Sequence, residues 1–146
     1  MRRFLFDTGV FVYALGGDHP YREPCRAIMS AGRRGLLAAE ASVELVHEFA
    51  YVRLRKGTTR QVAAQDARDI AATSRLHTVE PRDVERALEL WCEHEQLDMR
   101  DAIFAAQALN RGIDAILSPD QDFDGIPGLQ RIDPADAEAV ASLTEQ

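Results

Sequence analysis

The chain has 146 residues, 46% of them hydrophobic and 28% charged, which is enough apolar material for one folded core and excludes a disordered chain. The net charge of −7 excludes a chain-wide cationic nucleic-acid binder, yet residues 1–60 carry 10 basic and 6 acidic side chains against 7 and 18 in residues 61–146, so a basic patch on the first half stays open. Asp7 breaks the only leader-like start, no apolar run reaches the ~18–20 residues of a membrane span, and the widely separated Cys25 and Cys92 read as core thiols of a cytoplasmic protein.

Arg3 to Phe6 is a short apolar run ending at Asp7 and predicts a buried strand. Thr8 to Leu15 predicts a helix stopped by Gly16-Gly17, and Pro20 to Ala31 a second helix closed by Gly32. Gly35 to Ala39 predicts a strand, Ser42 to Arg55 a strong helix, and Thr58 to about Thr73 another. Leu76 to Val79 predicts a strand and Pro81 to Glu95 a helix with proline in its first turn. Asp101 to Arg111 is apolar nearly all round, which predicts a buried helix. Asp114 to Ser118 predicts a strand, Pro119 to Gly128 a loop, Leu129 to Ile132 a last strand, and Pro134 to Leu143 a terminal helix. Strands alternating with helices predict an α/β fold: a three-layer α/β/α sandwich around a central, mostly parallel sheet. No repeat or linker interrupts residues 1–146, which are read as a single domain.

In such sheets ligands gather at the carboxyl ends of the strands. Asp7 closes the first predicted strand and Asp120 follows the strand ending at Ser118, with Asp122 and Asp124 in the same loop. Each has an ordinary reading as a helix cap or turn residue. Asp101 opens the most apolar helix and shares a face with Phe104, Ala105 and Ala108; its ordinary reading is a carboxylate favoured by the helix dipole. Glu48 sits at the edge of the stripe formed by Leu45, Phe49 and Val52, with Glu44 further toward solvent. The ordinary reading of Glu48 is an ion pair with Arg53 or Arg55. If Asp7, Glu48, Asp101 and Asp120 converge, with Asp122 beside them, several must stay protonated or a divalent cation must neutralise them. Ligation by carboxylates alone suits Mg²⁺ or Mn²⁺, and such a site polarises a phosphodiester and makes hydroxide from water.

Several chemistries are excluded. His47-Glu48 lacks the second histidine of a zinc protease motif, Asp7-Thr8-Gly9 lacks the second aspartate of haloacid dehalogenase-type phosphatases, and no Walker loop or dinucleotide fingerprint occurs. The run Arg53, Arg55, Lys56 and Arg60 reads either as a solvated helix end or as a rim that tracks phosphates.

These residues resemble the PIN-domain ribonucleases, specifically the VapC-type toxins. The resemblance spans nearly the whole chain. It opens with FLFDTGVFVYAL, continues through SVELVHEFAYVRLRK, and is strongest in MRDAIFAAQALNRGIDAILSPDQDFDGIPGL. It departs at Gly9, where the family often has Ser or Asn, and at Ser118, where Thr is commoner. The resemblance implies a single PIN domain that is a Mg²⁺- or Mn²⁺-dependent endoribonuclease. It implies a homodimer, held inactive by a VapB-like antitoxin that grips the region of Val10, Phe11 and Tyr13. The expected catalytic residues are Asp7, Glu48, Asp101 and Asp120. Asp7, Asp101, Asp120 and Asp122 are the expected metal ligands. Glu48 is preferred to Glu44 because Glu-Phe fits the family pattern. Thr8 and Ser118 are expected to hydrogen-bond substrate or carboxylates, and Arg53, Arg55 and Lys56 to hold a structured RNA such as a tRNA or ribosomal loop. The competing readings are a PIN nuclease of RNA processing that is not a toxin, a non-catalytic interaction domain, and a phosphatase.

Overall fold

The computed structural model describes residues 1–145. Its strands are β1 (Arg3–Phe6), β2 (Ala38–Ser42), β3 (Arg75–His77), β4 (Ala115–Leu117) and β5 (Gln130–Ile132). Its helices are α1 (Thr8–Ala14), α2 (Arg22–Arg33), α3 (Val43–Arg55), α4 (Arg60–Ala71), α5 (Pro81–Glu93), α6 (Met99–Asn110) and α7 (Ala137–Ala141). The strands form one all-parallel sheet in the order β3-β2-β1-β4-β5. Chain direction across the sheet reverses at β1. Progress from β1 to β3 runs one way, and β4 then returns to the far side of β1. Right-handed crossovers place helices on opposite faces for the two directions. The packing agrees: α1 contacts α2 and α3, α3 contacts α4, and α5 packs chiefly on α6. The result is an α/β/α sandwich.

Burial on both faces explains why the central strands read as unbroken apolar runs. Phe4, Leu5 and Phe6 of β1 and Ala115, Ile116 and Leu117 of β4 have no exposed surface. All six phenylalanines of the chain are buried in the core. On α6 the buried alanines 102, 105, 106 and 108 let the helix lie close against its neighbours, which draws its first turn toward the end of β1. No helix among the described residues is long and apolar enough to cross a membrane.

The second strand lies further along the chain than the sequence predicts, over Ala38–Ser42 instead of Gly35–Ala39. Gly35, at φ +71°, closes the end of α2 with its amide on the Gly32 carbonyl, and Leu36 bonds back to Ala31, so these residues finish the helix. Ser42 then ends the strand and caps α3, its hydroxyl accepting from the Glu44 amide at 3.1 Å. The sixth helix starts at Met99, ahead of Asp101, because Asp98 caps it and accepts from the Asp101 amide at 2.8 Å. The terminal helix is shorter than predicted, Ala137–Ala141, with Asp136 as its cap.

The shift of β2 places Glu40 inside the sheet, opposite Leu5. Its carboxylate accepts from the Arg3 guanidinium at 2.5 and 3.0 Å and lies 2.6 Å from His77 Nε2. A second buried carboxylate, Asp83, accepts two bonds of 2.9 Å from Arg111 and one of 2.9 Å from Asn110. Burial alone would raise both carboxyls, but the hydrogen bonds outweigh it. Arg3 and His77 hold Glu40 below its ordinary value, and Arg111 with Asn110 brings Asp83 down to about 2.

Candidate active site

The crevice where the sheet reverses direction lies beyond the carboxyl ends of β1 and β4, where parallel sheets bind ligands. A cavity of about 570 Å³ opens there. Among the described residues, five carboxylates line it, from Asp7, Glu48, Asp98, Asp101 and Asp120, with Arg100 as the one cationic side chain in its wall. Asp7 is the first residue after β1. It occupies the cap position of α1, yet its carboxylate makes no cap hydrogen bond. Asp7 Oδ2 instead accepts from the Ser118 hydroxyl at 2.6 Å, a bond that ties the ends of β1 and β4 together. Ser118 Oγ also accepts from the Asp120 amide at 2.9 Å, which aims the start of the following loop at the same crevice. Asp120 accepts from the Asp122 amide at 2.9 Å and starts a single 3₁₀ turn over Gln121–Phe123.

Glu48 is one helical turn beyond Glu44, and α3 delivers only Glu48 to this cavity. It accepts from the Thr8 hydroxyl at 3.2 Å and pairs with Arg100 at 3.4 Å. Its partner is therefore Arg100, and neither Arg53 nor Arg55. Glu44 pairs with His47 at 3.6 Å and faces a neighbouring cavity. One carboxylate oxygen each from Asp101, Asp120 and Asp122 lie within 4.8 Å of one another, a span that a single cation can bridge.

The electrostatics follow from this crowding. Burial pushes the Asp7 carboxyl up to about 6, against the Ser118 hydrogen bond and with help from Glu48 and Asp120. Burial, followed by the charges of Asp7, Asp98, Asp120 and Glu48, pushes Asp101 up to about 8. Burial and the nearby Asp120 and Asp98 also raise Asp122. Among the described residues, none of Asp7, Asp101 and Asp122 has an ion-pair partner of the kind that holds Glu40 and Asp83 down. A divalent cation is the compensation that the donor set fits.

A family model described as the PIN domain matches residues 4–129. Ribonuclease VapC7 of Mycobacterium tuberculosis is 33% identical over 141 residues, covering 95% of this chain and 96% of that protein. The chain belongs to the PIN-domain family, among the VapC ribonucleases. Solved structures share its fold. VapBC2 from Rickettsia felis, bound to a promoter DNA fragment, has a TM-score of 0.69 at 15% identity and covers 89% of this chain and 97% of its own. Mycobacterium tuberculosis VapC20, a sarcin-ricin-loop-cleaving toxin, has a TM-score of 0.64 at 18% identity and covers 84% and 90%.

In this PIN domain both departures have a local meaning. A Cβ at Gly9 would lie 3.2 Å from Pro119 Cγ and 3.4 Å from Asp7 Oδ2, so the bare backbone lets α1 and the β4 loop close tightly over Asp7. Ser118 supplies the hydroxyl that Asp7 and the Asp120 amide both use. The hydroxyls of Thr8 and Ser118 are thus engaged with Glu48 and Asp7. Of the basic run, Arg53 pairs with Asp66 at 3.0 Å, Arg55 lies over the Tyr51 ring, and none of Arg53, Arg55 or Lys56 lines the acidic cavity. Val10 and Phe11 are wholly buried in the core and offer no surface to a partner; Val12 and Tyr13 of the same helix reach the cavity wall. Sequence reasoning missed Asp98 and Arg100. The D-x-x-D spacing of Asp98 and Asp101 before an apolar run is a capping pattern that marks Asp98, whereas Arg100 carries no local signal.

Proposed function

We propose that this PIN domain is a divalent-metal-dependent endoribonuclease and the toxin of a type II toxin–antitoxin pair. The observation that carries the reading is the acidic cavity at the sheet's reversal, in a chain of the VapC ribonuclease family: its carboxylates face one another with a single arginine among them. Asp101, Asp120 and Asp122 would hold Mg²⁺ or Mn²⁺, with Asp7 in the wall of the same cavity. Such an ion, when bound, polarises the phosphodiester and lowers the pKa of water. Glu48, oriented by Thr8, is the carboxylate placed to accept a proton from the attacking water. Arg100, with two-thirds of its side chain exposed, can leave Glu48 for a substrate phosphate. Ser118 fixes Asp7 and the Asp120 backbone, so both carboxylates are aimed before substrate arrives.

A VapB-like antitoxin would silence the enzyme by offering a cationic side chain to the same cavity. The exposed stripe of Val84, Leu88 and Trp91 on one face of α5 supports a homodimer. The reading places the enzyme in the cytoplasm, with its RNA. The test is cleavage of total bacterial RNA by the purified chain in Mg²⁺ or Mn²⁺, with chelator and Asp101→Asn as controls. Metal-dependent cleavage lost in the variant is expected. No cleavage by the intact protein in either ion would overturn the reading.

A further inference from the structure

A second cavity, of about 400 Å³, lies between α3 and α6 beside the acidic one. The two share Glu48 and Arg100 as their common wall. Its remaining wall is mostly apolar, with exposed Tyr51, half-buried Ile103 and Val79, and buried Phe104. His47 and Glu44, 3.6 Å apart, stand at its mouth. Tyr51 is 59% exposed, a large aromatic surface facing water at the edge of a cavity. It is also held in place, because the Arg55 guanidinium lies 5.6 Å from its ring centroid.

We propose that this cavity is a nucleobase subsite, which takes the unpaired base next to the phosphate cut in the acidic site. The inference rests on the ribonuclease reading above and adds to it the part of the chain that chooses the base. The volume lies within the ~300–1,000 Å³ range of small-ligand pockets, and an apolar wall with a few polar groups at one edge is their usual make-up. Charge selects what can enter. Glu44 and Glu48 repel a phosphate but not a neutral heterocycle, while Arg100 at the shared wall is the place for the phosphate itself. One nucleotide therefore spans both cavities, its phosphate at Arg100 and its base against Tyr51. An exposed tyrosine gives a stacking face to any base, and His47 with Glu44 offers donors and acceptors to a base edge. Arg55 acts here through Tyr51, as a positioning residue.

The experiment is a heteronuclear NMR titration of the full chain in Mg²⁺ with AMP, GMP, CMP and UMP, and with ribose 5-phosphate as the base-free probe. At least one nucleotide should move the resonances of His47, Tyr51 and Ile103 and saturate, whereas ribose 5-phosphate should leave them unmoved. Tyr51→Ala, at an exposed position that the fold does not need, should weaken that nucleotide by about tenfold or more. Three results would overturn the subsite. Nucleotides and ribose 5-phosphate could move the same resonances near Arg100 only. Tyr51→Ala could leave nucleotide affinity unchanged. Sedimentation could show Tyr51→Ala turning a dimer into a monomer, which would make the cavity a contact between two copies of the chain. The titration reads binding without turnover, so a failure to cleave RNA counts against the ribonuclease reading and leaves this measurement to decide the subsite.

Discussion

Two sets of buried carboxylates lie in this molecule, and their surroundings push them in opposite directions. Glu40 and Asp83 are met by Arg3, His77, Arg111 and Asn110, and both are held below the ordinary carboxylate range. Asp7 and Asp101 are raised to about 6 and about 8 by burial first and by the neighbouring acids second, with the Ser118 hydroxyl acting against this at Asp7. The first set has its counter-charge inside the fold. The second leaves it to be supplied from outside, which is what a site for a cation and a phosphate requires. Burial of an acid is therefore no mark of function; burial without a cationic partner is.

The comparison predicts, first, that Asp101→Asn cuts RNA cleavage by several kcal/mol of transition-state stabilisation, about a thousandfold or more in kcat. The thermal midpoint of the metal-free variant should rise, because the substitution removes an acid whose ionisation is opposed by burial and by its acidic neighbours. A lowered midpoint would move Asp101 into the structural set. Second, Asp83→Ala leaves Arg111 buried and unpaired and should cost ~3–5 kcal/mol in a denaturant titration. Cleavage per folded molecule should be retained.

A third prediction concerns pH. Asp7 and Asp101 have folded values above the ordinary 3.8, so the metal-free folded chain binds more protons than the unfolded one. Its stability should then fall as pH rises from about 4 to about 8. Mn²⁺ competes with those protons, and its affinity should climb over the upper part of that window, by up to about tenfold per pH unit for each proton displaced. Glu40 and Asp83 have the opposite sign. Their contribution is present above about pH 4 and lost as pH falls toward 2. Melting curves across pH, with and without Mn²⁺, separate the two sets; a metal affinity that does not change with pH would argue against displaced protons. The smallest effect is expected from charge reversal of Arg53, Arg55 and Lys56 together. It should lower the salt slope of RNA binding by about 0.7 for each lost phosphate contact and leave Mn²⁺ affinity alone. An unchanged slope would leave Arg53 to its ion pair with Asp66 and Arg55 to Tyr51, and take the run out of RNA binding.

Much of the fold was legible because its signals are local. Apolar runs ending in Asp7 and Ser118, the all-round apolar α6 and the proline at the start of α5 each mark an element within a dozen residues. The displaced β2 was not legible, because Gly35-Leu36-Leu37 carries the same apolar signal whether it begins a strand or ends a helix, and only backbone bonds back to Gly32 and Ala31 decide it. Of the candidate site, the aspartates after β1 and β4 could be named from chain position. The role of Arg100 beside Glu48 could not, since 52 residues separate them in sequence.

The sequence by itself determined most of the strands and helices, though not the bounds of β2, together with the parallel alternation that brings strand ends together and a short roster of acids. It did so because periodicity, caps and turn residues act over a few positions. Only the tertiary structure decided which acids are paired. Asp7 meets Ser118 across 111 positions, Glu40 meets Arg3 across 37, and Asp83 meets Arg111 across 28. The sign of each carboxyl's shift is set by such neighbours, because charge interactions depend on distance in space and on exclusion of water, and neither is written in the order of residues.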